Sequence, residues 1–454
     1  MKVQSLLWTL ALCLVLAVCN SDATNETRSE SSIVNRVRRK KTKCKVIDSH
    51  YVSSSPPPSR PISRIRLALT GDDRSMRVSW SSPAPCKNPK VWIRKIEAKS
   101  KKTKFTGVIE QPYVFRYRRY VYRSQYFHHA LITGLDHKAR YMYRIKCGSK
   151  KSTKLPFTSP PQLGSRSPVR LFAFGDHGTD REARRTLDAM VNVTRFKDYD
   201  MVIHLGDISY ANGEDTEYEW DVWGDMVQPL TSQIPYMVTP GNHEIDEDDS
   251  GGELGIAYRK RFYMPMTFRG SRSEYWYSWD YGQIHFVSVS TSHSDNRIQQ
   301  QWIANDLRNA ARRRHITPWI IVVGHDPPYS HNTYHYSHGD LRDWLDPLLV
   351  TYKVDLGLWG HNHGYERTYP IADSDVVQRN YQNAQAPVHV ICGAAGKDLY
   401  DCWKDNSRYS AFQEGRTWGY CTVEVTSASM AKIQFVNSFN GRIVDTFTLT
   451  KRRN

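Results

Sequence analysis

The sequence is poor in cysteine and in long apolar runs, and it carries few acidic residues for its size. Eight cysteines occur in 454 residues, and none has the Cys-x-x-Cys spacing that is typical of a thiolate zinc site. After the first 23 residues no apolar run reaches the roughly 18 residues that a bilayer span needs, so no membrane-spanning segment is expected. The 13 Trp and 27 Tyr indicate a globular chain, and its length favours two domains.

Residues 1–23 are typical of a secretory signal peptide. Their apolar run, residues 6–18, is too short to cross a bilayer, and we expect cleavage after Ala23. The expected location is therefore secreted or extracellular, with a lysosomal or vacuolar lumen as the alternative. Asn25 and Asn192 each begin an Asn-x-Thr sequon and are candidate glycosylation sites in that context. The chain end shows no lipid-anchor tail, so no membrane partner is expected.

Basic residues exceed acidic ones by 63 to 46, which gives a formal net charge of +17. The densest basic run, residues 36–41, lies in a Ser- and Pro-rich segment, residues 24–60, and such a block is usually a solvated tail. We therefore predict no nucleic-acid partner. Residues 36–39 also have the form of a dibasic processing site, and cleavage after Arg39 is left open.

Six cysteines follow the signal peptide, and an even number in an oxidising compartment favours disulfides. They are Cys44, Cys86, Cys147, Cys392, Cys402 and Cys421. Three precede and three follow a Pro- and Ser-rich linker at residues 156–168. At least one must therefore pair across the linker, pair between chains or stay free. The pairing and the oligomeric state, a homodimer included, are left open.

Short alternating strands separated by turn residues fill residues 61–155 and predict an all-β sandwich. The stretch Leu131–Leu135, followed by an alternating aromatic strand, resembles a fibronectin type III module. His128 and His129 alternate with apolar neighbours in a predicted strand, 126–132. Because nothing near them forms a catalytic constellation, we interpret both as structural.

After the linker, residues 169–454 alternate between strands and helices, which predicts an α/β domain. A run of short strands at 418–449 is expected to complete one of its sheets. The predicted helices are Arg181–Val193, Gln299–Arg313 and Leu341–Tyr352.

Five short motifs in this domain place possible metal ligands directly after apolar, strand-like runs. The motifs are Gly175-Asp176-His177-Gly178, Gly206-Asp207-Ile208-Ser209-Tyr210, Gly241-Asn242-His243-Glu244, Val322-Val323-Gly324-His325 and Gly360-His361-Asn362-His363. Taken singly, each is more typical of a helix cap or a turn. Together, at the carboxyl ends of strands, they predict one site with mixed oxygen and nitrogen donors, which suit zinc, manganese or iron.

The five motifs, over residues 61–450, resemble those of the purple acid phosphatases of the metallophosphoesterase superfamily. The resemblance implies a mixed α+β and α/β fold, in which an all-β fibronectin-like sandwich precedes a metallophosphoesterase α/β/β/α sandwich. It implies a secreted acid phosphatase that hydrolyses phosphate monoesters through a metal-bound hydroxide. It also assigns the ligands: Fe(III) at Asp176, Tyr210 and His363, a divalent zinc, manganese or iron ion at Asn242, His325 and His361, and a bridging Asp207.

By the same resemblance His243 and His335 face the substrate without binding metal, and His243 donates a proton to the phosphate or the leaving oxygen. Plant members commonly carry a histidine just before the second of these, where this chain has Tyr334. We interpret the neighbouring His331 and His338 as ordinary surface residues.

Tyr210 separates the leading hypothesis from its nearest rival. A free phenol has a pKa of about 10 and becomes a phenolate ligand at acid pH only on a strong Lewis acid such as Fe(III). The rival is a phosphodiesterase or nucleotide hydrolase of the same fold that uses divalent ions only. A third hypothesis, an extracellular matrix-binding protein with a vestigial site, is disfavoured because all seven ligands are intact.

Overall fold

The computed structural model describes residues 44–51, 60–96, 103–110, 114–117, 120–195, 197–211, 217–245, 255–293, 296–335, 337–404 and 407–452. The predicted signal peptide, the basic run at 36–41 and Asn25 lie outside these residues. Among the described helices, none is long and apolar enough to cross a bilayer.

Among the described residues up to 158, strands are the only regular secondary structure. They are β1 (Lys45–Ile47), β2 (Ser63–Ala68), β3 (Met76–Ser82), β4 (Lys90–Lys95), β5 (Thr103–Glu110), β6 (Val114–Tyr117), β7 (Tyr120–Arg123), β8 (Tyr126–Ile132), β9 (Arg140–Cys147), β10 (Lys150–Lys151) and β11 (Leu155–Thr158). All except β1, which pairs with the second module, belong to the N-terminal module. One sheet runs in the order β10-β9-β4-β5-β8-β3-β2. The first part of β5 pairs with β4 and its second part with β8, so this strand joins the two halves.

Alternation decides which side chains of this module form its core. In β9, Tyr141, Tyr143 and Ile145 are buried, while the residues between them are more exposed. β11 pairs with β9, so the first three residues of the expected linker, 156–158, belong to the sheet. The connection to the next module therefore begins after Thr158.

The histidines of β8 are structural. His128 and His129 are buried, and their rings bond to the hydroxyls of Ser82 and Ser79 at 2.7 and 2.8 Å. Burial lowers the pKa of His128 to about 4 and that of His129 to about 3, so both stay neutral at physiological pH.

Two sheets build the second module. The first, in the order β14-β13-β12-β25-β26-β27, contains β12 (Val169–Phe174), β13 (Met201–Leu205), β14 (Tyr236–Thr239), β25 (Gly419–Ser427), β26 (Met430–Asn437) and β27 (Ile443–Thr450). The second, in the order β15-β16-β17-β18-β22-β19-β24, contains β15 (Tyr277–Tyr281), β16 (Ile284–Ser288), β17 (Trp319–Val323), β18 (Leu356–Trp359), β19 (Tyr365–Thr368), β22 (Val388–Cys392) and β24 (Ser410–Glu414). The short strands are β20 (Ile371–Ala372), β21 (Asp375–Val376) and β23 (Leu399–Asp401).

The described helices are α1 (Arg181–Thr194), α2 (Glu219–Thr231), α3 (Asn242–Ile245), α4 (Ile256–Arg261), α5 (Arg297–Arg312) and α6 (Gly339–Thr351). The three helices predicted from periodicity correspond to α1, α5 and α6, with ends that differ by at most two residues. α2 was not predicted, because Pro229 and Gly224 interrupt its helical pattern. It packs on β2, where Arg64 pairs with Asp221 at 3.0 Å and the Ile65 N–H donates to Gln228 Oε1.

Strand β17 shows why this module is layered. Ile320 and Val322 belong to a cluster that contains Ile303 of α5 and Leu345 of α6. Ile321 and Val323, on the opposite face, belong to the larger core between the two sheets. A strand that is buried on both faces needs a continuous apolar run, and the sequence Trp319–Val323 supplies one.

The six cysteines form three disulfides: Cys44–Cys402, Cys86–Cys147 and Cys392–Cys421. Of the options left open by the sequence, the structure has the bridge across the linker, through Cys44 and Cys402. Cys44 is followed by β1, which pairs antiparallel with β23. The predicted basic tail at 24–60 is therefore wrong for residues 44–51, which lie against the second module.

Candidate metal centre

All seven predicted ligands lie where the two sheets of the second module meet. Asp176 follows β12, Asp207 and Tyr210 follow β13, Asn242 begins α3 after β14, His325 follows β17, and His361 and His363 follow β18. These strands run parallel within their sheets, so their carboxyl ends reach the same edge.

Asp176, Tyr210 and His363 form one half of the site. The Tyr210 hydroxyl donates to Asp176 Oδ1 at 3.2 Å and lies 3.0 Å from His363 Nε2. His363 Nε2 is 3.4 Å from Asp176 Oδ1. Three ligand atoms that share one small space in this way are placed to bind a single ion.

Asn242, His325 and His361 form the other half. His325 Nε2 lies 3.2 Å from Asn242 Oδ1 and 3.2 Å from Asp207 Oδ1. Ligand atoms of Asp207, His325 and His361 fall within 4.8 Å of one another, and so do those of Asp176, Asp207 and His363. Asp207 is thus the residue common to both halves.

Four of the ligands have left-handed backbone conformations, which cost energy for residues with a Cβ. The φ angles are +60° at Asp176, +52° at Asp207, +53° at Tyr210 and +67° at His361. Close approach also constrains Gly241, because a Cβ there would collide with Asp207 Oδ1. The fold therefore holds strained backbone at the point where the ligands converge.

The electrostatics of the cluster fit bound cations. Burial, with the carboxylates of Asp176 and Asp207, raises the pKa of Tyr210 well above its ordinary value, so without a metal it is a neutral phenol. Burial alone raises the pKa of Asp207, but neighbouring imidazoles, His325 foremost, outweigh it and hold that pKa well below its usual range. Oxygen and nitrogen donors without sulfur fit zinc, manganese or iron.

Comparison with known proteins identifies the family of this chain. A family model described as calcineurin-like phosphoesterase matches residues 169–365. A model described as purple acid phosphatase N-terminal domain matches residues 62–159, and one described as iron/zinc purple acid phosphatase-like protein C matches residues 386–446. Acid phosphatase type 7 of Mus musculus is 31% identical over 84% of this chain and 89% of that protein. The chain belongs to the purple acid phosphatase family.

Other purple acid phosphatases match as well. One from Arabidopsis thaliana, named Fe(3+)-Zn(2+) purple acid phosphatase 12, is 28% identical over 88% of this chain and 86% of that protein. Another, named probable inactive purple acid phosphatase 1, is 30% identical over 72% of this chain and 58% of that protein. The solved purple acid phosphatase PPD1 from yellow lupin (Lupinus luteus) has a TM-score of 0.76 at 25% identity, over 86% of this chain and 74% of that chain.

These matches confirm the predicted fold class, an all-β N-terminal module followed by a metallophosphoesterase fold. They also confirm the prediction of a phosphatase enzyme, and the family implies a dinuclear metal centre. The residue roles and the exact module boundaries stay predictions.

The two predicted substrate-facing histidines of this phosphatase lie beside the ligands. The His243 N–H donates to Asp207 Oδ1 at 3.1 Å, and its Nε2 is 3.8 Å from Asp207 Oδ2. The His335 ring lies 4.3 Å from that of His361 and lines a cavity of about 370 Å³ with Tyr334. Burial first, then the nearby imidazoles, lower the pKa of His335 to about 3.

His331 is not a surface residue, contrary to its interpretation from the sequence. It is 7% exposed, its N–H donates to Glu366, and its Nδ1 lies 3.3 Å from the same carboxylate. Its neighbour Asn332 bonds to the Tyr400 carbonyl, which pulls the loop inward. His338 is half-buried, and its Nδ1 accepts the Leu341 N–H at the start of α6.

Several residues that support the ligands were missed. Glu244 accepts the N–H groups of Asp207, Ile208 and Gly241 at 2.8 to 2.9 Å, and so fixes the backbone of two motifs. Glu244 is the last residue of the third motif, Gly241-Asn242-His243-Glu244, and this position is a sequence signal for a role beside the ligands.

The Asp398 carbonyl is a second missed partner. It lies 2.7 Å from His363 Nδ1, which directs Nε2 toward the ligand cluster. A backbone acceptor carries no signal in the sequence, because any residue type provides one.

Proposed function

We propose that the chain is a secreted acid phosphatase that hydrolyses phosphate monoesters at a centre of Fe(III) and a divalent zinc, manganese or iron ion. The observation that supports iron is the position of the Tyr210 hydroxyl, within 3.2 Å of both Asp176 and His363 atoms. A buried phenol with a raised pKa becomes a ligand at acid pH only beside a strong Lewis acid. The Arabidopsis relative whose name specifies Fe(3+) and Zn(2+) is in accord with this assignment.

In this proposal Asp176, Tyr210 and His363 would hold the iron, and Asp207, which is common to both halves of the site, would contribute to both metal positions. Asn242, His325 and His361 would hold the divalent ion. Two such ions would supply a nucleophilic water of lowered pKa and charge neutralisation for the phosphate oxygens.

The chain's own side chains then orient the ester. His243, whose side chain is 28% exposed beside Asp207, donates a proton to the leaving oxygen. His335 hydrogen-bonds the phosphate from the cavity it shares with Tyr334. Tyr334, 48% exposed, contacts the leaving group at the rim.

Secretion is supported by the signal-like N-terminus and by the three disulfides, which persist in oxidising compartments. Asn192 is exposed near the end of α1, where a glycan would meet solvent. The proposed partners are small phosphate monoesters, with no nucleic acid and no membrane, and a homodimer stays open.

The test is metal analysis of native protein combined with a visible spectrum and paired assays on a monoester and a diester. We expect iron with a second metal, a tyrosinate-to-iron absorption band, and faster hydrolysis of the monoester at acid pH. Two divalent ions without the band, with a preference for the diester, would instead establish the phosphodiesterase alternative. Protein without metal or activity would favour the matrix-binding hypothesis.

A further inference from the structure

Residues 44–51 form a strap across the second module, far in sequence from everything they touch. The Cys44–Cys402 disulfide fixes one end, and the following residues form β1, which pairs with β23. At the other end the His50 N–H donates to Glu182 and the His50 carbonyl accepts the Arg181 N–H, at 2.8 and 3.0 Å. The strap is thus attached at both ends.

Ser49 provides the central contact of the strap. Its N–H donates to Asp398 Oδ1 at 2.6 Å, and its hydroxyl lies 2.9 Å from the same oxygen. The hydroxyl is also 2.7 Å from Asp180 Oδ2. Asp180 is 1% exposed and pairs with Lys397 at 2.9 Å, so Ser49 joins the Asp398 carboxylate to this ion pair.

The loop that the strap holds, residues 397–400, runs into β23 and supports His363. The Asp398 carbonyl is the partner of His363 Nδ1, and the Tyr400 ring stacks on the imidazole at 4.5 Å with an interplanar angle of 12°. The Tyr400 N–H donates to the His363 carbonyl at 2.8 Å. Movement of this loop would therefore turn the imidazole away from its partners.

The same loop reaches the other two residues of that half of the site. The Lys397 N–H donates to the Asp176 carbonyl at 3.1 Å, and Lys397 Nζ lies 5.0 Å above the Tyr210 ring. By contrast, His325 is oriented by the Leu205 carbonyl at 2.6 Å, on a strand of the first sheet. The contacts of the strap thus lead to one half of the site.

We propose that the strap is a positioning element for the metal position formed by Asp176, Tyr210 and His363, and that Ser49 and the Cys44–Cys402 disulfide are two of its attachment points. The inference rests on the proposed function in assigning iron to that position. Outer partners of metal ligands typically change metal affinity by about 10- to 100-fold when they are removed.

The test compares two strap variants with matched controls. Ser49→Ala removes the hydroxyl and keeps the disulfide, and Ser49→Thr restores the hydroxyl. Cys44→Ala/Cys402→Ala removes the anchoring disulfide, and Cys86→Ala/Cys147→Ala removes one from the N-terminal module instead. Purified proteins are dialysed against a chelator, and both metals and the visible band are followed with time, together with melting temperature.

We expect the Cys44→Ala/Cys402→Ala variant and Ser49→Ala to lose iron and the band about tenfold faster than the wild type. Ser49→Thr and Cys86→Ala/Cys147→Ala should keep the wild-type rate, and loss of the divalent ion should change little in any variant. Equal iron retention in the wild type and both strap variants would overturn the proposal, as would equal acceleration in the control disulfide variant. If the wild-type protein holds two divalent ions, the iron assignment alone is refuted. The strap proposal is then supported if the strap variants lose one of the two ions faster than the wild type, and overturned if they lose neither faster.

Discussion

The buried imidazole of His285 should make the stability of this protein fall at alkaline pH. His285, on β16, is 0% exposed and lies between two carboxylates, with Nδ1 2.6 Å from Asp280 and Nε2 2.8 Å from Asp306. Two arginines complete the network: Arg269 contacts Asp280 at 2.6 Å, and Arg313 contacts it at 3.4 Å. Burial alone would lower the pKa of His285, but the two carboxylates outweigh it and raise the pKa to about 9.

The direction of the effect follows from proton binding. Below about pH 6.5 the folded and unfolded chains both hold the proton, and the contribution of His285 to stability is complete. Between about pH 6.5 and the folded-state pKa of about 9, only the folded chain holds it, so the free energy of unfolding falls by about 1.4 kcal/mol per pH unit. The total loss over that interval is about 3 kcal/mol.

Urea unfolding of the metal-loaded wild type and of His285→Gln, from pH 6 to pH 9.5, measures this contribution. The variant should be less stable at low pH, and its stability should decline with pH by about 3 kcal/mol less than that of the wild type. Asp306→Asn is a second variant, in which the decline should end at a lower pH and be smaller, because losing one carboxylate lowers the folded-state pKa of His285. Parallel pH profiles for all three proteins would refute the idea that His285 is a buried imidazolium.

Three further predictions concern the site. Tyr210→Phe should fold and largely lose the visible band, because phenolate-to-iron charge transfer requires the hydroxyl, while activity partly survives. An unchanged band on an iron-loaded variant would refute the assignment of Tyr210 as a ligand. His243→Ala should lower kcat by about 10²- to 10⁴-fold with both metals retained. The loss should be smaller for a nitrophenyl ester, because a good leaving group needs no proton. Loss of both metals would show that His243 is a ligand or a structural residue. With a heterologous signal peptide in place, deletion of residues 1–41 should leave turnover and iron content unchanged. Deletion of residues 1–59 should weaken iron binding, because it removes the strap. A more than tenfold loss of turnover from the shorter deletion would show that the basic run captures substrate.

The sequence predicted the strands and ligands best where local pattern and tertiary environment agree. Val169–Phe174, Met201–Leu205 and Trp319–Val323 are apolar runs ended by glycine-containing motifs, and the structure has strands with those bounds. Apart from Arg170, every residue of these strands is buried, so nearly all positions favour an apolar residue and the run is clear in the sequence. The ligand that follows each of these strands is therefore predicted to lie at the carboxyl edge of a sheet, even without the strand order.

The supporting contacts could not be predicted, because they depend on pairs that are distant in the chain. Asp398 acts on His363 through a carbonyl, and Tyr400 acts through the face of its ring, so no residue pattern at either position identifies the role. The interpretation of His331 as a surface residue was wrong for the same reason, since its partner Glu366 is 35 residues away in the chain. Periodicity reports burial within one element, whereas these interactions join separate loops.

The strap is the case in which composition was misleading. Ser, Pro and basic residues between 24 and 60 are typical of a disordered tail, yet Cys44 lies within that segment, and a cysteine in an oxidising compartment is a possible tether. Because the disulfide attaches the strap at its start, cleavage after Arg39 would remove the basic residues 36–39 and leave Cys44 on the mature chain. Processing at that site is therefore compatible with an intact strap, and the two deletions separate the contribution of the basic run from that of the strap.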